Sequence, residues 1–275
     1  MVVKDVPDAD DPGLRGGGPG GAARAVTGRR SPRRIIRVAL ADLVNRSWRV
    51  LQRTGVITPE TAAGRRFAAF GRGSSVAFPA GTMFGERWIE IGADTLIGAN
   101  VTLCAGMVPG QDLGADPVLR IGDRCVIGRG SHVIAHRSTD IGDDVFMGPY
   151  VYITDQNHSY ADPEVPIGRQ WPSNTSASIG SGSWLGAGAI ILPGAQIGQN
   201  VVVAAGSVVR GVIPDRCVAA GVPAKIVREY VPGSGWKPPA GDPAGSGAMR
   251  AIDGHHVEQA VAEMMHTLTP QESAD

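Results

Sequence analysis

The chain has 275 residues, 43% of them hydrophobic, and its 26 basic and 26 acidic side chains give a formal charge of zero. That length supports one sizeable core with appendages, and the balanced charge gives no global attraction to nucleic acid. Its three cysteines, Cys104, Cys125 and Cys217, lack metal-binding spacing and are odd in number, which argues against a secreted disulfide framework; with no leader-like start and no apolar run near 18 residues, a cytoplasmic location is expected.

Residues 1–28 are rich in Gly, Ala, Asp and Pro and are expected to be disordered. A basic helical or capping region is expected over 29–84. At its start Arg29, Arg30, Arg33, Arg34, Arg37, Arg46, Arg49 and Arg53 face a single acid, Asp42. Ile36, Leu40, Leu43, Val44 and Leu51 recur among them at near-helical spacing, with Trp48 between, so an amphipathic helix is expected. Two roles stay open for it. It could cap the hydrophobic end of the domain that follows, or dock on an anionic membrane surface at the inner membrane face.

From residue 91 a different period takes over. Aliphatic side chains stand six apart in five groups of three: Ile91, Ile97, Leu103; Ile121, Ile127, Val133; Ile141, Met147, Ile153; Ile179, Leu185, Ile191; Ile197, Val203, Val209. Six matches neither a helix nor a flat amphipathic strand, so the chain is a repeat architecture. Gly follows most first and second members, as at 92, 98, 122, 128, 142, 148, 180, 186 and 198. After the third member stands Cys104, Ile134, Thr154, Leu192 or Arg210. Three hexapeptides therefore make one 18-residue unit whose third side differs. A triangular coil explains this: each hexapeptide gives a short strand and a turn, the aliphatic residue points inward, and Gly supplies permissive backbone at the turn. Every departure from six follows the third side, so all insertions leave at one corner. Segments 109–117 and 154–178 are expected as neighbouring loops there, where function usually sits. After Val209 the next inward residue is expected to be Cys217.

Over residues 85–230 the chain resembles the hexapeptide-repeat acyltransferases, and among them the maltose, galactoside and polysaccharide O-acetyltransferases. The resemblance is carried by Ile141-Gly-Asp-Asp-Val-Phe-Met-Gly-Pro-Tyr-Val-Tyr-Ile-Thr-Asp-Gln-Asn-His158, by Trp184-Leu-Gly-Ala-Gly-Ala-Ile-Ile-Leu-Pro-Gly194, by Ala205-Gly-Ser-Val-Val209 and by Ala220-Gly-Val-Pro-Ala-Lys-Ile-Val-Arg228. It implies an all-β solenoid, a left-handed parallel β-helix, assembled as a homotrimer with active sites between subunits and using acyl-CoA. It matches His158 to the family's catalytic base. That role is to take the proton of an acceptor hydroxyl attacking a thioester, which suits an imidazole titrating near neutrality. The resemblance also implies an oxyanion amide at the turn Gly186-Ala187. The pantetheine arm would run along Ala187, Ala204, Ala205 and Ser207, with Lys225 and Arg228 on the adenosine phosphates. Trp184 either walls that site or covers a hydrophobic edge.

His136 lies three residues after Val133 at the loop corner and is a candidate for the acceptor pocket, with Asp155, Asn157 or Asp140. The bland alternative is a solvated turn histidine. A second class enters through His132, His136 and His158: the γ-type carbonic anhydrases share this coil and hold zinc with three His. The order of pair and single His is reversed here, so no metal is expected. A non-catalytic scaffold is the third alternative. A serine O-acetyltransferase is disfavoured, because no long helical domain precedes the repeats.

Pro232, Gly233, Gly235, Pro238 and Pro239 mark a linker that opens segment 231–275. Val257, Val261, Met264, Met265 and Leu268 then recur at helical spacing, so a short helical tail is expected. Five acids and no Lys or Arg follow Arg250. The resulting expectation is an acetyl-CoA-dependent O-acyltransferase acting on a sugar, oligosaccharide or polysaccharide hydroxyl.

Overall fold

A computed structural model of the protein describes residues 32–239. The expected disordered segment 1–28 and the acidic tail lie outside the described residues. The first element is α1, Pro32–Thr54, an α-helix. The described residues form two units that divide within α1, between Asn45 and Arg46.

The second unit is a parallel β-helix with three sides. Side one stacks seven strands, Ala69–Phe70, Ile89–Ile91, Leu119–Ile121, Thr139–Ile141, Ala177–Ile179, Gln196–Ile197 and Val212–Ile213. Side two stacks Ser75–Val76, Leu96–Ile97, Val126–Ile127, Phe146–Met147, Trp184–Leu185, Val202–Val203 and Cys217–Ala220, then adds the antiparallel strands Lys225–Val231 and Gly235–Lys237. Side three stacks Met83–Phe84, Thr102–Ala105, His132–Ala135, Tyr152–Thr154, Ile190–Ile191 and Val208–Val209. The register aligns the aliphatic columns directly: Ile91 with Ile121, Ile121 with Ile141, Ile141 with Ile179, and Ile179 with Ile197. All fifteen repeat residues are buried. Burial of each such side chain stabilises by roughly 1.5–3 kcal/mol against an exposed reference, so the column is the main source of stability.

Three features differ from the sequence reading. The first coil begins at Ala69, ahead of residue 85, and its columns are Phe70, Val76 and Met83, whose unequal spacing to one another and to Ile91 breaks the period of six. After Val209 the column continues with Ile213, paired with Ile197, and only then with Cys217 and Ala219 on side two. The repeat glycines are needed for close approach more than for dihedral freedom. A Cβ on Gly186 would lie 2.4 Å from the Ala205 nitrogen of the next coil, whereas left-handed backbone falls at Asp94, Asn100, Arg124, Asp144 and Tyr150.

The turn from side one to side two has its own side-chain ladder. Asp123 accepts from the Ala93 N–H at 2.7 Å, Asp143 from Asp123 at 2.9 Å, and the Ser181 hydroxyl from Asp143 at 3.0 Å. Each coil thereby satisfies an amide of its neighbour that no strand reaches.

Outward residues divide the sides chemically. Side one presents Glu90, Arg120 and Asp140, with Arg120 paired to both acids at 3.3 Å. Side two presents Leu96, Val126, Phe146, Trp184 and Val202, and side three runs from Thr102 and His132 to Tyr152, Ile190 and Val208.

Candidate active site

Both long insertions leave from the end of side three, as the spacing required, and they meet at a groove of about 300 Å³. Its floor is the column that follows the third-side aliphatic residue. Phe84 pairs with Cys104, Cys104 with Ile134, and Ile134 with Thr154. These are the positions where the repeat does not use Gly, so side chains project at this corner. Gly106 and Met107 of the first insertion form one wall; His136, Gln156 and His158 form the other. The groove thus grades from apolar at Phe84 and Cys104 to polar at Thr154 and His158. Burial pushes the Cys104 thiol up to about 11, so it stays protonated near neutrality and is not a nucleophile.

Asp155 organises the polar end. It is fully buried, and its carboxylate accepts from the backbone N–H of His136 at 2.8 Å, Arg137 at 2.6 Å and Ser138 at 2.9 Å. His136 Nδ1 lies 3.3 Å from the same group. Burial alone would raise the carboxyl, but the ring contact and the three amides outweigh it and hold it below its usual range. An ionised carboxylate only accepts, so the Nδ1 that faces it carries a proton and donates to Asp155. Asp155 was expected to meet the acceptor. Its oxygens are instead committed to the 136–138 turn, which sets the position of His136 on the groove wall.

His158 is exposed and follows a short antiparallel ribbon, Gln156–Asn157 against Ser173–Asn174. Asn157, expected near the acceptor, is exposed opposite Ser173 and does not line the groove. Gln156, which the sequence did not single out, does. Its Nε2 and the Asn174 Oδ1 opposite are buried without a hydrogen-bond partner. His132 projects outward on side three with its ring 6.2 Å from that of Tyr152, away from His136. Among the described residues no three His, Cys, Asp or Glu side chains converge as a metal site.

The oxyanion and CoA candidates occupy the opposite corner, between sides two and three. The Gly186 N–H is committed to Val203 O at 2.7 Å, while the Ala187 N–H donates to no acceptor among the described residues. Ala187 is exposed and stacks beneath the next turn, with Gly206 N–H donating to Ala187 O at 2.9 Å. Ala204 and Ala205 continue this column of small residues, and Lys225, paired with Ala220, is exposed at its end. Ser207 departs from the expectation: it is buried, and its hydroxyl accepts from the Gly221 N–H at 3.1 Å, so it ties two coils together. Arg228 is half-buried and donates to Val227 O at 2.7 Å. Trp184 stands outward on side two between Phe146 and Val202. Within one chain, then, His158 and Ala187 lie at the two ends of side three, roughly 15–20 Å apart for a five- or six-residue face.

Residues 118–154 match the family described as the hexapeptide repeat of succinyl-transferase, and residues 176–211 match that described as bacterial transferase hexapeptide. A protein of Escherichia coli bearing the name of a lipopolysaccharide biosynthesis O-acetyl transferase is 41% identical over 106 residues, 36% of this chain and 54% of its own. The galactoside O-acetyltransferase of Lactococcus lactis is 40% identical over 89 residues, 32% of this chain and 42% of its own. The chain therefore spans about half the length of the curated relatives it matches. The structure of AntD, an N-acyltransferase from Bacillus cereus in complex with dTDP and 3-hydroxybutyryl-CoA, superimposes with a TM-score of 0.51 at 16% identity, covering 78% of this chain and 98% of that one. These likenesses carry with them a left-handed parallel β-helix. In its repeats the chain is similar to the hexapeptide-repeat transferases, and over about half their length it is similar to O-acetyltransferases that include the galactoside O-acetyltransferases.

Proposed function

We propose that the protein is an acyl-CoA-dependent O-acyltransferase, with acetyl as the acyl group and a hydroxyl of a sugar or glycan as acceptor. The observation that carries this reading is the placing of His158 at the polar rim of a groove formed where both insertions leave the coil. The names of the O-acetyl transferase relatives support oxygen as the accepting atom. His158 takes the acceptor proton as the oxygen attacks the thioester carbon. The Ala187 N–H stabilises the tetrahedral oxyanion, and the CoA thiolate leaves and is reprotonated by His158. His136, held through Nδ1 by Asp155, turns its Nε2 to a second hydroxyl of the acceptor. The pantetheine arm follows Ala187, Ala204 and Ala205 towards Lys225, with Trp184 and Arg228 flanking that path.

Because His158 and Ala187 sit at opposite ends of side three, a complete site needs two copies of the chain. The division of the outer surface supports such an assembly. Side two and the Tyr152, Ile190 and Val208 part of side three present apolar ladders suited to burial between subunits, and side one presents the charged ladder of Glu90, Arg120 and Asp140. A homotrimer with three sites between subunits satisfies both observations.

The test is release of free CoA thiol from acetyl-CoA against a panel of mono- and oligosaccharides, for wild type and His158→Ala. Acceptor-dependent release lost in the variant is the expected result. No turnover with any acyl-CoA, accompanied by stoichiometric zinc in the purified protein, would overturn the reading in favour of a carbonic-anhydrase-like enzyme. No turnover without zinc would favour a scaffold.

A further inference from the structure

α1 carries six Arg and one acid over 23 residues. At 100° per residue, Ile36, Leu40, Leu43, Val44, Val50 and Leu51 share one arc, and Trp48 stands at its margin; Ile35 and Val38 fall outside it. Arg37 borders one edge of that arc and Arg46 and Arg53 the other. The six aliphatic residues of the arc are 50–62% exposed, and the three bordering Arg are exposed as well. At the C-terminal end of the helix the Trp48 ring stands 5.9 Å from that of Phe78. No helix among the described residues is long and apolar enough to cross a membrane.

We propose that α1 lies in the interface of an anionic lipid bilayer, its aliphatic arc among the acyl chains and its bordering Arg on the headgroup phosphates. The chemistry selects this occupant. An apolar arc wide enough to enter the acyl boundary, flanked on both edges by long cations whose stems run along apolar surface while their guanidiniums reach phosphate, is the composition of an interfacial helix. Arg binds phosphate bidentately, and a helix of this length lies about 35 Å along the surface. The proposal rests on α1 alone and is independent of the transferase reading.

The test is co-sedimentation of the full chain with vesicles of phosphatidylcholine and with vesicles of equal phosphatidylcholine and phosphatidylglycerol. Binding to the anionic vesicles only, weakening as salt rises, is expected. Each Arg near an anionic surface contributes roughly fivefold, about 1 kcal/mol, so Arg37→Gln, Arg46→Gln and Arg53→Gln together should weaken binding about a hundredfold. Leu43→Glu, at an exposed position, should abolish binding with the melting temperature unchanged. Failure to bind anionic vesicles, equal binding to both compositions, or binding undiminished by the triple Arg substitution would each overturn the proposal. A fall in oligomer mass on Leu43→Glu without vesicle binding would also overturn it, and would identify a second copy as the occupant.

Discussion

Removing the Asp155 carboxylate is the sharpest test of how the groove is held. In Asp155→Ala three amide donors, from His136, Arg137 and Ser138, lose their acceptor. Each stranded buried donor costs roughly 1–3 kcal/mol, and water reaches the exposed Arg137 side of the turn, so a total of about 3–4 kcal/mol is expected. For a domain of this size that lowers the melting temperature by about 10 °C, at fixed protein concentration. Asp155→Asn retains one oxygen for the Arg137 and Ser138 amides but turns an NH2 towards the His136 N–H, so a loss of about 1–2 kcal/mol is expected. The pH dependence follows from the sign of the shift. The folded carboxyl lies below its unfolded value, so its contribution is complete above an unfolded pKa of about 3.9 and is lost as pH falls through the folded one. The gap between wild type and Asp155→Asn should therefore be flat near neutrality and close only in acid. An Asp155→Ala protein melting within a degree or two of wild type would refute the assignment of this carboxylate as the lock of the turn.

His158→Ala should lower acceptor-dependent CoA release by about 10²–10⁴-fold and leave thermal melting unchanged, since the residue is exposed. Gly186→Ala brings a Cβ to 2.4 Å of the Ala205 nitrogen, and coil separation should cost about 1–3 kcal/mol, read as a lower melting temperature. Cys104 and Cys125 are buried, with thiols pushed up to about 11, so in the native protein both should react with thiol reagents at pH 8 far more slowly than in urea.

The six-residue period revealed the coil because all fifteen column positions from Ile91 to Val209 carry aliphatic chains or Met147 and each stacks on its equivalent. The first coil escaped because Met83 follows Val76 by seven residues and precedes Ile91 by eight, and Ile213 escaped because it follows Val209 by only four. The groove was half legible. Its corner followed from where the insertions leave, and its floor was already written in Cys104, Ile134 and Thr154, which break the Gly pattern. The commitments of Asp155 and Ser207 were not legible. Each satisfies backbone amides brought near by folding, and a sequence does not say which amides those are. A small polar residue at a turn reads alike whether it faces a ligand or a neighbouring coil.

The separation of His158 from Ala187 leads to an argument about assembly that mixing variants can decide. A chain carrying His158→Ala lacks the proposed base but keeps the proposed oxyanion amide. A chain carrying Ala187→Pro keeps the base but has no N–H to donate. If each site took both groups from one chain, every site in any mixture of the two would lack one of them, and co-expression would give no activity. If each site takes its base from one chain and its amide from the next, random assembly in equal amounts makes about a quarter of the sites complete. Recovery of about a quarter of wild-type CoA release from two inactive proteins is therefore expected, with Ala187→Trp, which fills the same exposed corner, as the second variant should the proline chain fail to fold. Lack of recovery from mixed oligomers verified by two affinity tags would place the whole site on one chain. That would require the 155–176 insertion to carry His158 across the full width of side three.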